Sequence, residues 1–213
     1  VPVVYVSMGS NFTLTKKQCK KLYLGLQAIE NVRYIWTLRA DFHEALDCDS
    51  NRFHLVDWAP QREILASPMV KAVVYHGGFN GICEALTHAK PLFLLPIEGD
   101  QFLNADNAVM RGVALQANRQ TLSAQEVSQK LGALLHEERF TQAARGMQAS
   151  ILATGGVAKS VEVLQAALYG HVFGESDLNP LAPRLSAFKA YLLSQLACER
   201  RARKPPEVVR KTH

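Results

Sequence analysis

Between Trp58 and Gln101 lies a run of residues whose types and order suit a phosphorylated ligand. Tyr75 closes a β-like stretch, His76-Gly77-Gly78 follows, and a helix is predicted to begin near Phe79. A glycine-rich turn lets backbone approach a ligand closely. A helix N-terminus presents N–H groups that carry roughly half a positive charge. Together they make an anion site that fits a diphosphate, and His76 adds a donor to a phosphate oxygen. Glu84 stands four residues after Asn80, so both share one helix face, and its side chain leans back toward the N-terminus. A carboxylate placed there accepts two hydrogen bonds from a ribose diol. Trp58 offers a flat surface for a base, worth about 1–3 kcal/mol by analogy with base stacking in nucleic-acid complexes. Asp100 and Gln101 carry the groups that sugar hydroxyls require. Singly, each has a plainer reading: a core tryptophan, an ordinary turn, a solvated helix charge, a helix-start glutamine. Jointly they describe a nucleotide-sugar site at the carboxyl ends of parallel strands.

The first half of the chain supplies elements to hold such a site. Val3–Ser7, Val32–Leu38, Phe53–Val56, Ala72–Tyr75 and Leu92–Leu95 are short β-branched or aromatic runs, predicted as strands. Thr15–Glu30 carries Leu22, Leu26 and Ile29 near helical spacing, and residues 79–89 and 101–111 are further helices. Strands alternating with helices predict parallel crossover units, hence an α/β fold with a Rossmann-like, doubly wound parallel sheet. Beyond residue 123 only helices are predicted, at 123–136, 138–153 and 157–169, with Gly155-Gly156 as a break. Leu185–Cys198 reads as a further amphipathic helix, with Leu185, Phe188, Leu192 and Leu196 on one face, before Pro205-Pro206 ends any helix. The expected organisation is a ligand-binding domain over 1–172 and a helix with a basic, disordered tail over 173–213.

Composition excludes several classes. Of 213 residues, 48% are apolar and 20% charged, values that rule out a disordered chain, a collagen or a coiled coil. No stretch approaches the roughly 20 apolar residues of a membrane-spanning helix. Cys19, Cys48, Cys83 and Cys198 lie far apart, which argues against zinc and a disulfide framework and for reduced thiols. The seven histidines form no metal-ligand motif, so no metal is expected. A dehydrogenase is disfavoured because Gly-x-Gly-x-x-Gly is absent after the first strand. The formal charge is +5, but from Arg184 onward eight Lys/Arg face two Glu, leaving the body with 16 basic against 17 acidic residues. The basic excess is therefore a property of the tail, suited to anionic lipid or an acidic partner rather than to nucleic acid. The chain starts at Val1, not Met, without a signal-peptide pattern, so a piece of a longer protein is expected. The sequon Asn11-Phe12-Thr13 falls in the expected phosphate loop, where a glycan would obstruct binding; it is read as unmodified.

The stretch Trp58–Gln101 resembles the donor-binding signature of the UDP-dependent glycosyltransferases. It is 44 residues long, the length of that signature in the plant enzymes. Trp58, Pro60, Gln61, Leu65, Pro68, His76, Gly78, Asn80, Glu84, Pro91, Pro96, Asp100 and Gln101 fall in register with it. The opening Tyr5-Val-Ser-Met-Gly9-Ser10 is similar to the strand and phosphate loop that begin the same domain, and the similarity runs over residues 2–170. Departures stand at Ser67 (usually His), Lys71 (usually Gly), Tyr75 (usually Ser or Thr) and Lys90 (usually apolar). Gly81 follows the animal and bacterial pattern, where plant enzymes often have Ser.

The resemblance implies the carboxyl-terminal, donor-binding half of a two-domain GT-B fold. It implies that Trp58 stacks on uracil while the backbone near Ala59 and Gln61 pairs with its edge, and that Glu84 holds the ribose. Ser10, His76, Gly78, Asn80 and the Gly81 backbone would hold the diphosphate, and Asp100 and Gln101 the sugar. The implied activity is inverting transfer of a hexose from a UDP-sugar co-substrate to a small or lipophilic acceptor. No cofactor is implied, and no residue of this chain acts as the general base, which the amino-terminal half supplies. Two other readings are a donor subunit of a two-chain enzyme and a non-catalytic UDP-sugar-binding module. The chain is expected to fold alone but not to turn over alone. A cytoplasmic location is expected, with membrane-surface contact through the basic tail as the variant reading.

Overall fold

Alternating side chains sort themselves to the two faces of a sheet, and the first strand does this residue by residue. Val4 and Val6 belong to one buried cluster and Tyr5 to another. A computed structural model describes residues 1–9, 14–43, 46 and 48–173. The described residues form two units, Val1–Gly155 and one that begins at Gly156. The expected helix over Leu185–Cys198 and the basic tail lie outside the described residues.

The described residues of the first unit form six strands: β1 (Val3–Ser7), β2 (Arg33–Thr37), β3 (Phe53–Val56), β4 (Val70–Tyr75), β5 (Leu92–Leu94) and β6 (Ala114–Gln116). They lie in the order β3-β2-β1-β4-β5-β6, with every pairing parallel. The helices are α1 (Lys16–Gln27), α2 (Ala40–His43), α3 (Gln61–Ala66), α4 (Phe79–Thr87), α5 (Gln101–Met110), α6 (Ala124–His136) and α7 (Glu138–Ala153). Alternation continues along β4, where Ala72 and Val74 join the Val4 side while Val73 and Tyr75 join the Tyr5 side. Leu22 and Leu26 of α1 and Val127, Leu131 and Leu134 of α6 cover the first face. Ile82, Ala85 and Leu86 of α4 and Ala105 and Ala108 of α5 cover the second. This is the predicted doubly wound α/β sheet, buried on both sides as parallel sheets are.

Three elements escaped the sequence pattern for physical reasons. β6 is three residues long, too short to display an alternation. α2 and α3 are four and six residues long and too short to show a helical period. The long helices are set by their caps. Thr15 and Gln18 form a reciprocal capping box at the start of α1: the Thr15 hydroxyl accepts from the Gln18 N–H, and Gln18 Oε1 accepts from the Thr15 N–H at 2.9 Å. The Ser123 hydroxyl caps α6 by accepting from the Glu126 N–H at 3.1 Å. After α7, Gly155 takes φ +77°, a left-handed value that ends helices and suits glycine.

The second unit, described as far as residue 173, is a single helix, α8 (Gly156–Phe173). Lys159 Nζ meets Glu162 Oε2 at 2.6 Å on its exposed surface. No helix among the described residues is long and apolar enough to cross a membrane.

Candidate functional site

The sheet order reverses at β1 and β4, which are neighbours although β2 and β3 lie between them in sequence. Chain leaving the carboxyl ends of two such strands diverges and opens a crevice, the usual ligand position in open α/β sheets. Gly9 follows β1 and His76 follows β4. A Cβ built on Gly9 would lie 2.6 Å from His76 Cε1, and one on Gly78 would lie 2.7 Å from His76 Nε2. Bare backbone at both positions is thus what admits the imidazole. His76 is 7% exposed. Burial pulls its pKa down to about 4, with the nearby Asp100 carboxylate opposing the shift. At neutral pH it is an uncharged ring offering one N–H donor.

The turn then delivers the chain into α4. Gly78 is its N-cap, and no side chain caps it. The first intrahelical bond runs from the Ile82 N–H to the Gly78 carbonyl at 3.1 Å. The amides of Phe79, Asn80 and Gly81 precede that bond and occupy the first turn, where an anion gains most from the helix dipole. Asn80 is exposed beside them.

Glu84 sits one turn further along α4, half-buried. Gln61, the first residue of α3, donates from Nε2 to Glu84 Oε2 at 2.6 Å. This bond ties the loop after β3 to α4 and fixes one carboxylate oxygen. The same loop carries Ala59 and Trp58, and the indole is 77% exposed. That exposure removes the plain reading of Trp58 as a core residue.

The third part of the site starts α5. Gln101 is 4% exposed, and its Oε1 accepts from the N–H groups of Ile97 at 2.8 Å and Glu98 at 3.2 Å. Its side-chain oxygen therefore shapes the 95–100 loop. Asn104 Nδ2 donates to the Gly77 carbonyl at 3.1 Å and to Asp100 Oδ2 at 2.8 Å, joining the β4–α4 turn to the α5 start. Gly77 has φ +91°, and a Cβ there would lie 3.0 Å from the Gln101 carbonyl oxygen.

Of the expected residues, His76, Gly78, Asn80, Gly81 and Glu84 share one turn and helix. Gln61 is bonded to Glu84, and Asp100 and Gln101 are linked to the turn through Asn104 and Gly77. Trp58 and Ala59 lie on the loop that leads to Gln61, and Ser10 lies outside the described residues. Two residues that the sequence reading gave no part in the site prove structural to it: Gly9, which admits His76, and Asn104, which bridges two loops. The Tyr5–Ser10 resemblance was the one signal for Gly9.

The model for the family described as UDP-glucoronosyl and UDP-glucosyl transferase matches residues 2–154. UDP-glycosyltransferase 1 of Phaeomoniella chlamydospora is 33% identical over 156 residues, covering 68% of this chain and 32% of that protein. Human UDP-glucuronosyltransferase 2A3 is 29% identical over 141 residues, covering 66% of this chain and 26% of that protein. The chain thus spans about a third or less of the length of these relatives. Among solved structures, Phytolacca americana UGT2 complexed with UDP-2fluoro-glucose and pterostilbene superposes with a TM-score of 0.70. It is 26% identical, with 78% of this chain and 41% of that one covered. The glycotransferase of kitacinnamycin matches in fold with a TM-score of 0.69 at 20% identity, covering 78% of this chain and 43% of that one. With the family match running through every strand of the sheet and every element of the crevice, the chain belongs to the UDP-glucuronosyl and UDP-glucosyl transferase family and carries a Rossmann-like half of its GT-B fold.

Proposed function

We propose that this chain is the donor-binding half of an inverting UDP-glycosyltransferase that moves a hexose from a UDP-sugar to a small or lipophilic acceptor. The observation that carries this reading is the convergence at the β1/β4 crevice of an uncapped helix start, a neutral His76 and a tethered Glu84. Trp58 stacks on the uracil, whose edge meets the backbone at Ala59 and Gln61. Glu84 Oε1 and the remaining lone pairs of Oε2 accept from the ribose hydroxyls. The diphosphate sits on the amides of Phe79, Asn80 and Gly81, with Ser10 and His76 as further donors, and Asp100 and the Gln101 amide take the sugar.

In the reaction the acceptor oxygen bonds to the anomeric carbon as the bond from that carbon to the diphosphate oxygen breaks. UDP leaves with the electron pair, and the acceptor proton goes to a base in the amino-terminal half. Negative charge grows on the diphosphate, where fixed N–H donors stabilise it without reorganising. An uncharged His76 serves this as a donor that is already oriented by the glycines around it. The acceptor site and base belong to that other half, so this chain binds donor but does not turn over alone. No cofactor beyond the co-substrate enters this scheme, and the net +6 tail from Arg184 suits an anionic membrane surface.

Titration of the chain with UDP, followed by tryptophan fluorescence and heat, tests the reading. Saturable binding that Trp58→Ala weakens by about tenfold or more, and that ATP does not reproduce, is expected. A folded chain that ignores millimolar UDP, or binds ATP equally well, overturns it.

A further inference from the structure

Between α4, α5 and α7 the fold leaves a groove of about 460 Å³, within the roughly 300–1,000 Å³ range of small-molecule sites. Its floor is apolar: Ile82 and Leu86 of α4, Ala108 of α5, Val113 before β6, and Met147 and Ile151 of α7. Phe79 and Asn104, from the first turns of α4 and α5, mark the end nearest the donor turn, and Arg111, the C-cap of α5, marks the other. From Asn104 to Arg111 the helix rises about 10 Å. The polar side of the groove belongs to α5. Asn107 and Arg111 both line it and stand four residues apart, so their side chains are neighbours along the helix. Among the described residues, no hydrogen bond or ion pair engages the Asn107 amide or the Arg111 guanidinium. None of the described residues lining the groove is acidic, so Arg111 supplies its formal charge.

We propose that this groove is a second binding site, separate from the donor crevice, for an anionic amphiphile such as an acyl carboxylate. The apolar body lies on the floor, where each methylene that leaves water adds affinity. The carboxylate takes parallel N–H donors from the Arg111 guanidinium, which suits it geometrically, and a further donor from the Asn107 amide. Charge selects among ligands: a neutral one leaves the guanidinium unused, and a cationic one meets it at close range. Shape selects too. A stable protein partner covers about 800 Å² on each side, whereas a concave groove about 10 Å long suits a medium-length chain. The site is independent of the UDP-sugar reading, since none of these groups takes part in it.

The test is calorimetric titration of the 213-residue chain with decanoate and with its uncharged counterpart, 1-decanol. Decanoate is expected to saturate a single site and to bind more tightly than the alcohol. Arg111→Gln should weaken decanoate about three- to tenfold and leave 1-decanol unchanged. Asn107→Ala should show a smaller loss with the same selectivity. Ser150→Phe sets a ring into the groove from α7 and should weaken both ligands alike. Arg111 and Ser150 are exposed, so neither change removes a core side chain. Excess UDP should leave decanoate binding as it was. Absence of saturable decanoate binding, equal affinity for acid and alcohol, or an Arg111→Gln loss shared by the alcohol overturns the proposal. So does binding that survives Ser150→Phe unchanged. Displacement of decanoate by UDP also overturns it, by placing the amphiphile in the donor crevice. A chain that takes decanoate but ignores UDP overturns the donor reading alone.

Discussion

Tyr75 and Gly81 compete for one volume: a Cβ on Gly81 would stand 2.2 Å from the Tyr75 ring. Contacts under 3 Å force something to move. The tyrosine ring is packed beside His76 and buried in the α4-side core, so it has little room to give. The large residue on the strand and the missing side chain on the helix are one feature written at two positions.

Gly81→Ser is therefore expected to destabilise the chain by about 1–3 kcal/mol, the usual cost of overpacking. Tyr75→Thr in the same chain removes the obstruction, so the double variant should be more stable than the sum of the single losses predicts. Urea unfolding of the four chains measures this coupling. Additive losses would show that ring and helix do not share the space.

The buried His76 makes stability depend on pH. Its folded pKa, about 4, lies below the ordinary 6.5, so between these values the unfolded chain binds a proton that the folded chain refuses. Stability is thus fully present above pH 6.5, falls as pH drops toward 4, and loses no more to this group below that. The full loss is about 3 kcal/mol. His76→Gln should flatten the difference between pH 7 and pH 4 in unfolding midpoints. A variant whose midpoint falls as steeply as the parent's would remove the histidine as the cause.

Much of the frame was legible in the sequence because strand and helix periods are local. Val3–Ser7 and Phe53–Val56 were readable to the residue, and the spacing of Leu22, Leu26 and Ile29 placed α1 within Thr15–Glu30. β6 was not legible, since three residues paired only to β5 carry no pattern of their own. At the site, residue type and spacing pointed to Glu84 and the family resemblance to Gln61, but neither to the 2.6 Å bond between them, because α3 and α4 meet only in the fold. Gln101 was read as suited to sugar hydroxyls; its oxygen holds the Ile97 and Glu98 amides, a use that depends on how the 95–100 loop turns and that no sequence pattern announced.

Lys90 stands where the family usually has an apolar residue, and the fold gives it work. It is buried, and its Nζ donates to the carbonyls of Ser67 at 2.9 Å and Val70 at 2.8 Å, joining the end of α3 to the start of β4. Lys90→Ala removes the ammonium donor from both carbonyls and its packed stem, and is expected to cost about 1–3 kcal/mol. Lys90→Met keeps the stem packed and should cost less. Denaturant unfolding that ranks Met below Ala in stability would contradict this assignment.

Two helix glycines should respond in opposite directions to the same change. Glycine in a helix interior is less favourable than alanine by about 0.5–1 kcal/mol, so propensity alone predicts a gain at both Gly25 of α1 and Gly132 of α6. Around Gly132 nothing lies within 4 Å of an added Cβ, so Gly132→Ala should raise stability by about that amount. At Gly25 the added Cβ would stand 2.4 Å from Val127 Cβ and 2.6 Å from the Ala124 carbonyl oxygen, both on α6. One is a branched carbon next to the backbone and the other is backbone itself, so relief requires moving the whole of α6. That helix also carries Leu131 and Leu134 into the core, and shifting it opens gaps there. The steric cost, about 1–3 kcal/mol or more, exceeds the propensity gain, and Gly25→Ala should lower the unfolding midpoint while Gly132→Ala raises it. Two midpoints that move the same way would mean that α1 and α6 do not approach through Gly25.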